Sequence, residues 1–173
     1  MKPIDRLKSL LEKQAQITKE IYPQSEWQHN SFEELVLNCG SEFVVHSPNQ
    51  IKLNQSFGCY QNCQQLVREY SELIYCEGYA LAPDVVIPIR HAWLIDSKGE
   101  VIEPTWNDND SVYLGIPLGI SWFQSVLNQR SAIGREDEIS ILEGNYIEDF
   151  SLLKEGLPNE AIALCRIDLL IKK

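Results

Sequence analysis

The sequence has 15 lysines and arginines against 25 aspartates and glutamates, a formal charge of −10. Nucleic-acid binders carry a basic stripe that neutralises phosphates, so this balance argues against a nucleic-acid partner. No run approaches the roughly 18 apolar residues of a membrane span, and Met1-Lys2-Pro3-Ile4-Asp5-Arg6 lacks the apolar core of a secretory signal. The expectation is a soluble, cytoplasmic protein with no membrane partner. Repeats, low-complexity tracts and Gly/Pro-rich linkers are missing too. One domain over residues 1–173 is therefore expected, at a length that suits one core better than two. There are only five cysteines, Cys39, Cys59, Cys63, Cys76 and Cys165. An odd number without a signal points to free thiols in a reducing compartment. Cys59-x-x-x-Cys63 lacks a second Cys/His pair, so neither a structural metal nor any cofactor is implied.

What is present is a folding composition, 44% hydrophobic and 23% charged. Ile4, Leu7, Leu10, Leu11, Ile17 and Ile21 recur at helical spacing, which predicts an amphipathic helix from Pro3 to Ile21, stopped by Pro23. Ser31-Phe32-Glu33-Glu34 reads as a reciprocal capping box, with Gly40 as a left-handed cap at the far end and a strand over 42–46. Gly58-Cys59 opens a helix to about Tyr70, whose apolar face carries Leu66, Val67 and Tyr70. A strand over 73–80 and a loop from Pro83 to Pro88 follow. His91 to Asp96, Ser97-Lys98-Gly99 and Glu100 to Glu103 then form a hairpin pattern. Farther on, a helix is expected over 121–129, with weaker signals for a strand over 138–142, a helix over 147–154 and a closing segment over 161–171. The fold class is α+β.

One constellation carries chemistry. A thiol attacks as its thiolate, which a helix N-terminus or a neighbouring imidazolium favours. Cys59 stands at a helix start, and His91 at the head of the hairpin can supply the imidazole. The tight turn brings Glu103 beside the His91 strand, where a carboxylate can hold the second ring nitrogen. Asp96 is the alternative acid, though it lies near the turn. His46 is the reserve base, and like His29 it is expected at the surface. Cys63 and Cys76 read as core, and a Cys59–Cys63 redox pair is a weaker alternative. Trp93 and Trp106 are candidates for a cleft wall or for packing.

In order and spacing, Gly58-Cys59-Tyr60, Glu77-Gly78-Tyr79-Ala80, His91-Ala92-Trp93 and Val101-Ile102-Glu103-Pro104-Thr105 resemble the core of transglutaminase-like cysteine enzymes. The resemblance spans residues 55–118. It implies a papain-like fold, with a nucleophile helix packed on an antiparallel sheet. It also implies a catalytic Cys59, a His91 base and Glu103 as orienting acid. Papain-like enzymes add a carboxamide upstream of the cysteine to the oxyanion hole, which makes Gln55, and next Asn54, the candidates here. Glu103 stands where the family has aspartate, one methylene longer, and the Cys59–Gly78 stretch is shorter than the family's. The expected function is a thiol hydrolase or acyltransferase: a protease, deamidase or transglutaminase-like enzyme. Its substrate would be a protein or peptide amide, or a small acyl donor. The alternative is a catalytically silent scaffold of the same fold, serving as a binding or regulatory module.

Overall fold

The computed structural model describes residues 1–51, 58–106, 110–137 and 139–163. Helix α1 runs from Pro3 to Ile21 with proline in its first turn, where a missing N–H costs nothing. Ile4, Leu7 and Leu11 are buried, but Ile17 and Ile21 of the expected apolar face are 55% and 60% exposed. Helix α2, Phe32–Cys39, starts at Ser31, whose hydroxyl accepts the Glu34 N–H at 3.2 Å. The reciprocal arm differs from the expected box: the Glu34 carboxylate takes the backbone and side-chain N–H groups of Asn30. Gly40 is likewise not a left-handed cap. Its φ of −82° is extended, and a Cβ there would meet Val36 O at 2.5 Å and Gly115 O at 3.1 Å. The glycine permits close approach of the helix end to the sheet.

The sheet contains β1 (Ser41–Phe43), β2 (Ile74–Leu81), β3 (Ile89–Ile95), β4 (Val101–Ile102) and β5 (Val112–Leu118), in the order β1-β5-β2-β3-β4 and antiparallel throughout. β1 is shorter than the expected 42–46, and beyond it His46 makes only an isolated bridge to Val101. β5 carries no strand signal in the sequence, because Gly115 and Pro117 interrupt it, yet it pairs with both β1 and β2. Both exceptions have reasons. A Cβ at Gly115 would strike the Trp93 ring at 2.3 Å. Pro117 lies beyond the end of β1, and its carbonyl accepts the Ala163 N–H, so its missing donor faces that outer edge and not β2.

Helix α3, Cys59–Glu69, buries Cys63, Leu66 and Val67, while Tyr70 falls just past its end at 39% exposure and is not part of that face. It packs chiefly against β3. Helix α4, Ile120–Ala132, buries Phe123, with Trp122, Val126 and Leu127 half-buried against the core. Residues 139–142 are not a strand. They lead into a 3-10 turn, Glu143–Glu148, and a single helical turn α5, Ser151–Lys154. Strand alternation divides the core. Ala92, Leu94, Leu114 and Ile116 join α1, α2 and α3 on one face, and Phe43, Cys76, Trp93, Ile95 and Tyr113 form a smaller cluster on the other. Among the described residues no helix is long and apolar enough to cross a membrane. Cys165 and most of the expected closing segment lie outside the described residues.

Candidate functional site

The β3–β4 ladder is short, Leu94 opposite Ile102 and Ile95 opposite Val101. The turn before it works as the sequence suggests. Gly99 takes φ +80°, and Asp96 accepts the N–H groups of Lys98 and Glu100 and the Ser47 hydroxyl. Asp96 is thereby spent on the turn. After Ile102 the chain leaves β3, so among the described residues no strand pairs with β3 at His91 on that side. Glu103 sits at the departure point.

His91 and Glu103 are both buried, and the ring Nε2 lies 2.8 Å from Glu103 Oε2. The Tyr113 hydroxyl donates to the same oxygen at 3.1 Å. The other oxygen, Oε1, accepts the N–H groups of Thr105 at 2.8 Å and Trp106 at 3.1 Å. The extra methylene relative to aspartate lets one carboxylate close its own loop while still reaching the ring. Gln50 holds the segment from outside: it accepts the Glu103 N–H and donates to the Ser47 and Val101 carbonyls. Trp106 stacks on the His91 ring at 3.9 Å and 23°.

Cys59, half-buried, lies close enough to the His91 ring to raise its pKa. Glu103 occupies Nε2, so Nδ1 is the nitrogen left for the thiol. Strand alternation turns His91 toward the Trp93 face, whereas Cys59 packs at the margin of the larger cluster; the two meet at that edge of β3. Asn62, one turn along α3 and buried, donates to Thr105 Oγ1 at 3.0 Å, tying that helix to the Glu103 loop.

The electrostatics follow from these contacts. Burial pushes the His91 pKa down, but Cys59 and the Glu103 hydrogen bond and charge outweigh it and hold the ring at about 9. For Glu103, burial pushes up, while the His91 partner and the Thr105 and Trp106 amides pull harder and lower it. Both directions describe an imidazolium–carboxylate pair. Cys63, fully buried, is pushed well above the ordinary thiol range, first by burial and then by the charge of Glu103, so it stays a thiol.

Asn54 and Gln55 lie outside the described residues. His29 and His46 are not the surface histidines expected. His29 is buried, with its ring Nδ1 3.3 Å from the Asn38 amide nitrogen, and burial lowers its pKa. His46 is half-buried, with Nε2 2.8 Å from the Ser111 carbonyl oxygen. Trp93 is packing on the far face, and Trp106 belongs to the site. Sequence reasoning overlooked Gln50, Asn62, Tyr113 and a second buried carboxylate, Glu77. A charged residue inside the apolar run of β2 was a readable signal for Glu77. Gln50 and Tyr113 act through contacts distant in sequence and left none. Among the described residues no group of three or more His, Cys, Asp or Glu side chains converges as metal ligands. Compared with protein-family models, with curated proteins and with solved structures, the chain matches none.

Proposed function

We propose that this protein is a thiol-dependent hydrolase or acyltransferase with a papain-like, transglutaminase-like core. It acts on an amide or thioester through a covalent acyl intermediate on Cys59. The observation that carries this reading is the buried His91–Glu103 pair, Nε2 to Oε2 at 2.8 Å, with Cys59 near enough to shift the titration of the ring. In the proposed reaction the Cys59 sulfur, its proton already held on His91, bonds to the substrate carbonyl carbon. Collapse of the tetrahedral adduct breaks the bond to the leaving nitrogen or sulfur, which receives the proton from His91. Water then attacks the thioester, returns a proton through His91 and releases a carboxylic acid. An amine in place of water gives acyl transfer, but water needs no second binding site and hydrolysis is the simpler outcome. The Cys59 N–H at the first turn of α3 has no intrahelical acceptor and suits the oxyanion; the resemblance implies Gln55, and next Asn54, as the second donor. Protein or peptide amides, or small acyl donors, are the substrate class. The free thiols at Cys39, Cys59, Cys63 and Cys76 suit a reducing compartment such as the cytoplasm.

The test is selective alkylation. Iodoacetamide at mildly acidic pH should modify Cys59 and spare Cys63, read by peptide mass spectrometry. Cys59→Ala should remove both the labelling and any turnover of peptide or thioester probes without loss of fold. If Cys59 stays unmodified until the ordinary thiol range, the silent-scaffold reading replaces this one. Turnover that survives Cys59→Ala but not Cys63→Ala would show that the wrong thiol was chosen.

A further inference from the structure

Glu143 stands outside the group so far described, yet its carboxylate joins the two chain segments that carry that group. Oε2 accepts the hydroxyl of Tyr60, the residue after Cys59, at 3.1 Å. Oε1 accepts from Arg90, the residue before His91, at 3.2 Å. Glu143 begins the 3-10 turn Glu143–Glu148, and the approach to that turn is anchored by fully buried groups. The Glu77 carboxylate accepts the Ser140 hydroxyl and the N–H groups of Ile141 and Leu142. The Arg130 guanidinium donates to the carbonyls of Ser140 and Ile141 and is paired with Glu148. The Ser140 hydroxyl also accepts the Glu143 N–H at 3.0 Å. Glu143 is thus presented from a fixed support.

We propose that Glu143 is a positioning residue for the Cys59 site, setting the approach of the thiol to the His91 ring by pinning Tyr60 to Arg90. The proposal rests on the reading of Cys59 and His91 as nucleophile and base. Among the described residues, side-chain ties hold the start of α3 on two sides: Asn62 to Thr105 on the Glu103 side, and Tyr60 through Glu143 to Arg90 on the β3 side. With the second tie gone, the helix end can pivot about the first, and the thiol leaves the ring. Stability is not the role of this contact. The Arg90 and Glu143 side chains are 48% and 39% exposed, and such pairs add little to folding. Position matters more steeply, since a misplacement of about 1 Å can cost about a hundredfold in rate.

The test follows the alkylation rate of Cys59 against pH in the full chain, with the modified residue identified by mass spectrometry. Wild type should react along a limb below the ordinary thiol range. Glu143→Ala should move that limb up by about one pH unit or more. Tyr60→Phe removes the other end of one bond and should move it the same way, with the double variant no further than the larger single shift. Charge alone predicts the opposite sign, because deleting a carboxylate near Cys59 favours the thiolate. A limb that stays in place, or moves down, in both variants overturns the proposal, and continued loss of labelling in Cys59→Ala then leaves the proposed function standing. A wild-type limb in the ordinary thiol range overturns both. If Glu143→Ala loses its native circular dichroism, Tyr60→Phe decides.

Discussion

Glu77 and Glu103 are both buried carboxylates at the sheet, and each is saturated with hydrogen bonds, yet their titration is displaced in opposite directions. Glu77 takes the Tyr75 hydroxyl at 2.6 Å, the Ser140 hydroxyl at 2.9 Å, and the Ile141 and Leu142 N–H groups at 2.8 and 3.0 Å. All of these donors are neutral. Burial dominates, and the pKa rises despite them. Glu103 takes two backbone amides, one hydroxyl and His91, and its pKa falls. One imidazole in place of a neutral donor separates a carboxylate that seals a loop from one that supports a charge. Hydrogen-bond saturation therefore does not distinguish the two carboxylates; the imidazole partner of Glu103 does.

The largest expected effect breaks this comparison at its charged end. In Glu103→Gln the Thr105 and Trp106 amides can only donate, so the amide oxygen stays with them and the NH2 group faces His91 Nε2. That forces the ring proton onto Nδ1, toward the thiol it should be receiving a proton from. Turnover should fall roughly a thousandfold or more, the scale seen when a related triad acid is neutralised. The pH response should change as well. His91 is raised from 6.5 to about 9, so its stabilising contribution is complete below 6.5 and is lost as pH rises through about 9. Glu103 is lowered from 4.5, so its contribution is present above 4.5 and is lost as pH falls through the depressed value. In the variant His91 keeps the lowering effect of burial and loses one partner. An NMR titration of the ring should give a midpoint clearly below the wild-type value, and an unchanged midpoint would break the comparison.

The same substitution at Glu77 should give the reverse pattern. Its two backbone donors sit on different oxygens, Ile141 on Oε1 and Leu142 on Oε2, so the amide introduced by Glu77→Gln must turn its NH2 against one of them. Stability should fall by about 1–3 kcal/mol, the cost of one buried N–H left unpaired, while the folded fraction keeps most of its turnover. Because the Glu77 pKa is raised, its linkage contribution is greatest below 4.5 and is lost as pH rises through the folded value. The deficit of the variant in urea titrations should accordingly narrow with rising pH. A turnover loss as large as that of Glu103→Gln would mean that Glu77 belongs to the chemistry.

This contrast also marks what the sequence revealed. Elements ruled by local pattern were legible: α1 from its spacing and Pro3, the β3–β4 hairpin from alternation and Gly99, and the start of α3 from Gly58-Cys59. From the hairpin alone came the meeting of His91 and Glu103. What failed was decided by distant neighbours. β5 looked broken because Gly115 makes room for the Trp93 ring and Pro117 faces an outer edge, and neither fact is local. Gly40 does cap α2, but it looked left-handed because its neighbour on the sheet could not be seen. A strand was expected over 138–142, but the N–H groups of Ile141 and Leu142 are taken by the Glu77 side chain and the carbonyls of Ser140 and Ile141 by the Arg130 side chain, which no local pattern announces.

The smallest expected effect sharpens the comparison at its neutral end. Tyr113→Phe removes one hydroxyl from Glu103 Oε2 and leaves the two amides and His91 in place. The phenylalanine ring can keep the packing that Tyr113 makes with Trp93, whose ring centroid lies 4.9 Å away, and with His91 at 6.1 Å. A net hydrogen bond of this kind contributes about 0.5–1.5 kcal/mol, so the melting temperature should drop by a few degrees at most. Turnover should fall less than about tenfold, because the imidazolium still faces a full negative charge. The ring midpoint is the deciding readout. With one neutral donor fewer, the carboxylate charge is shared less and is felt more by His91, so the midpoint should hold or rise. A fall comparable to that in Glu103→Gln would mean that the hydroxyl, and not the imidazole, keeps Glu103 ionised, and the distinction drawn between the two carboxylates would be lost.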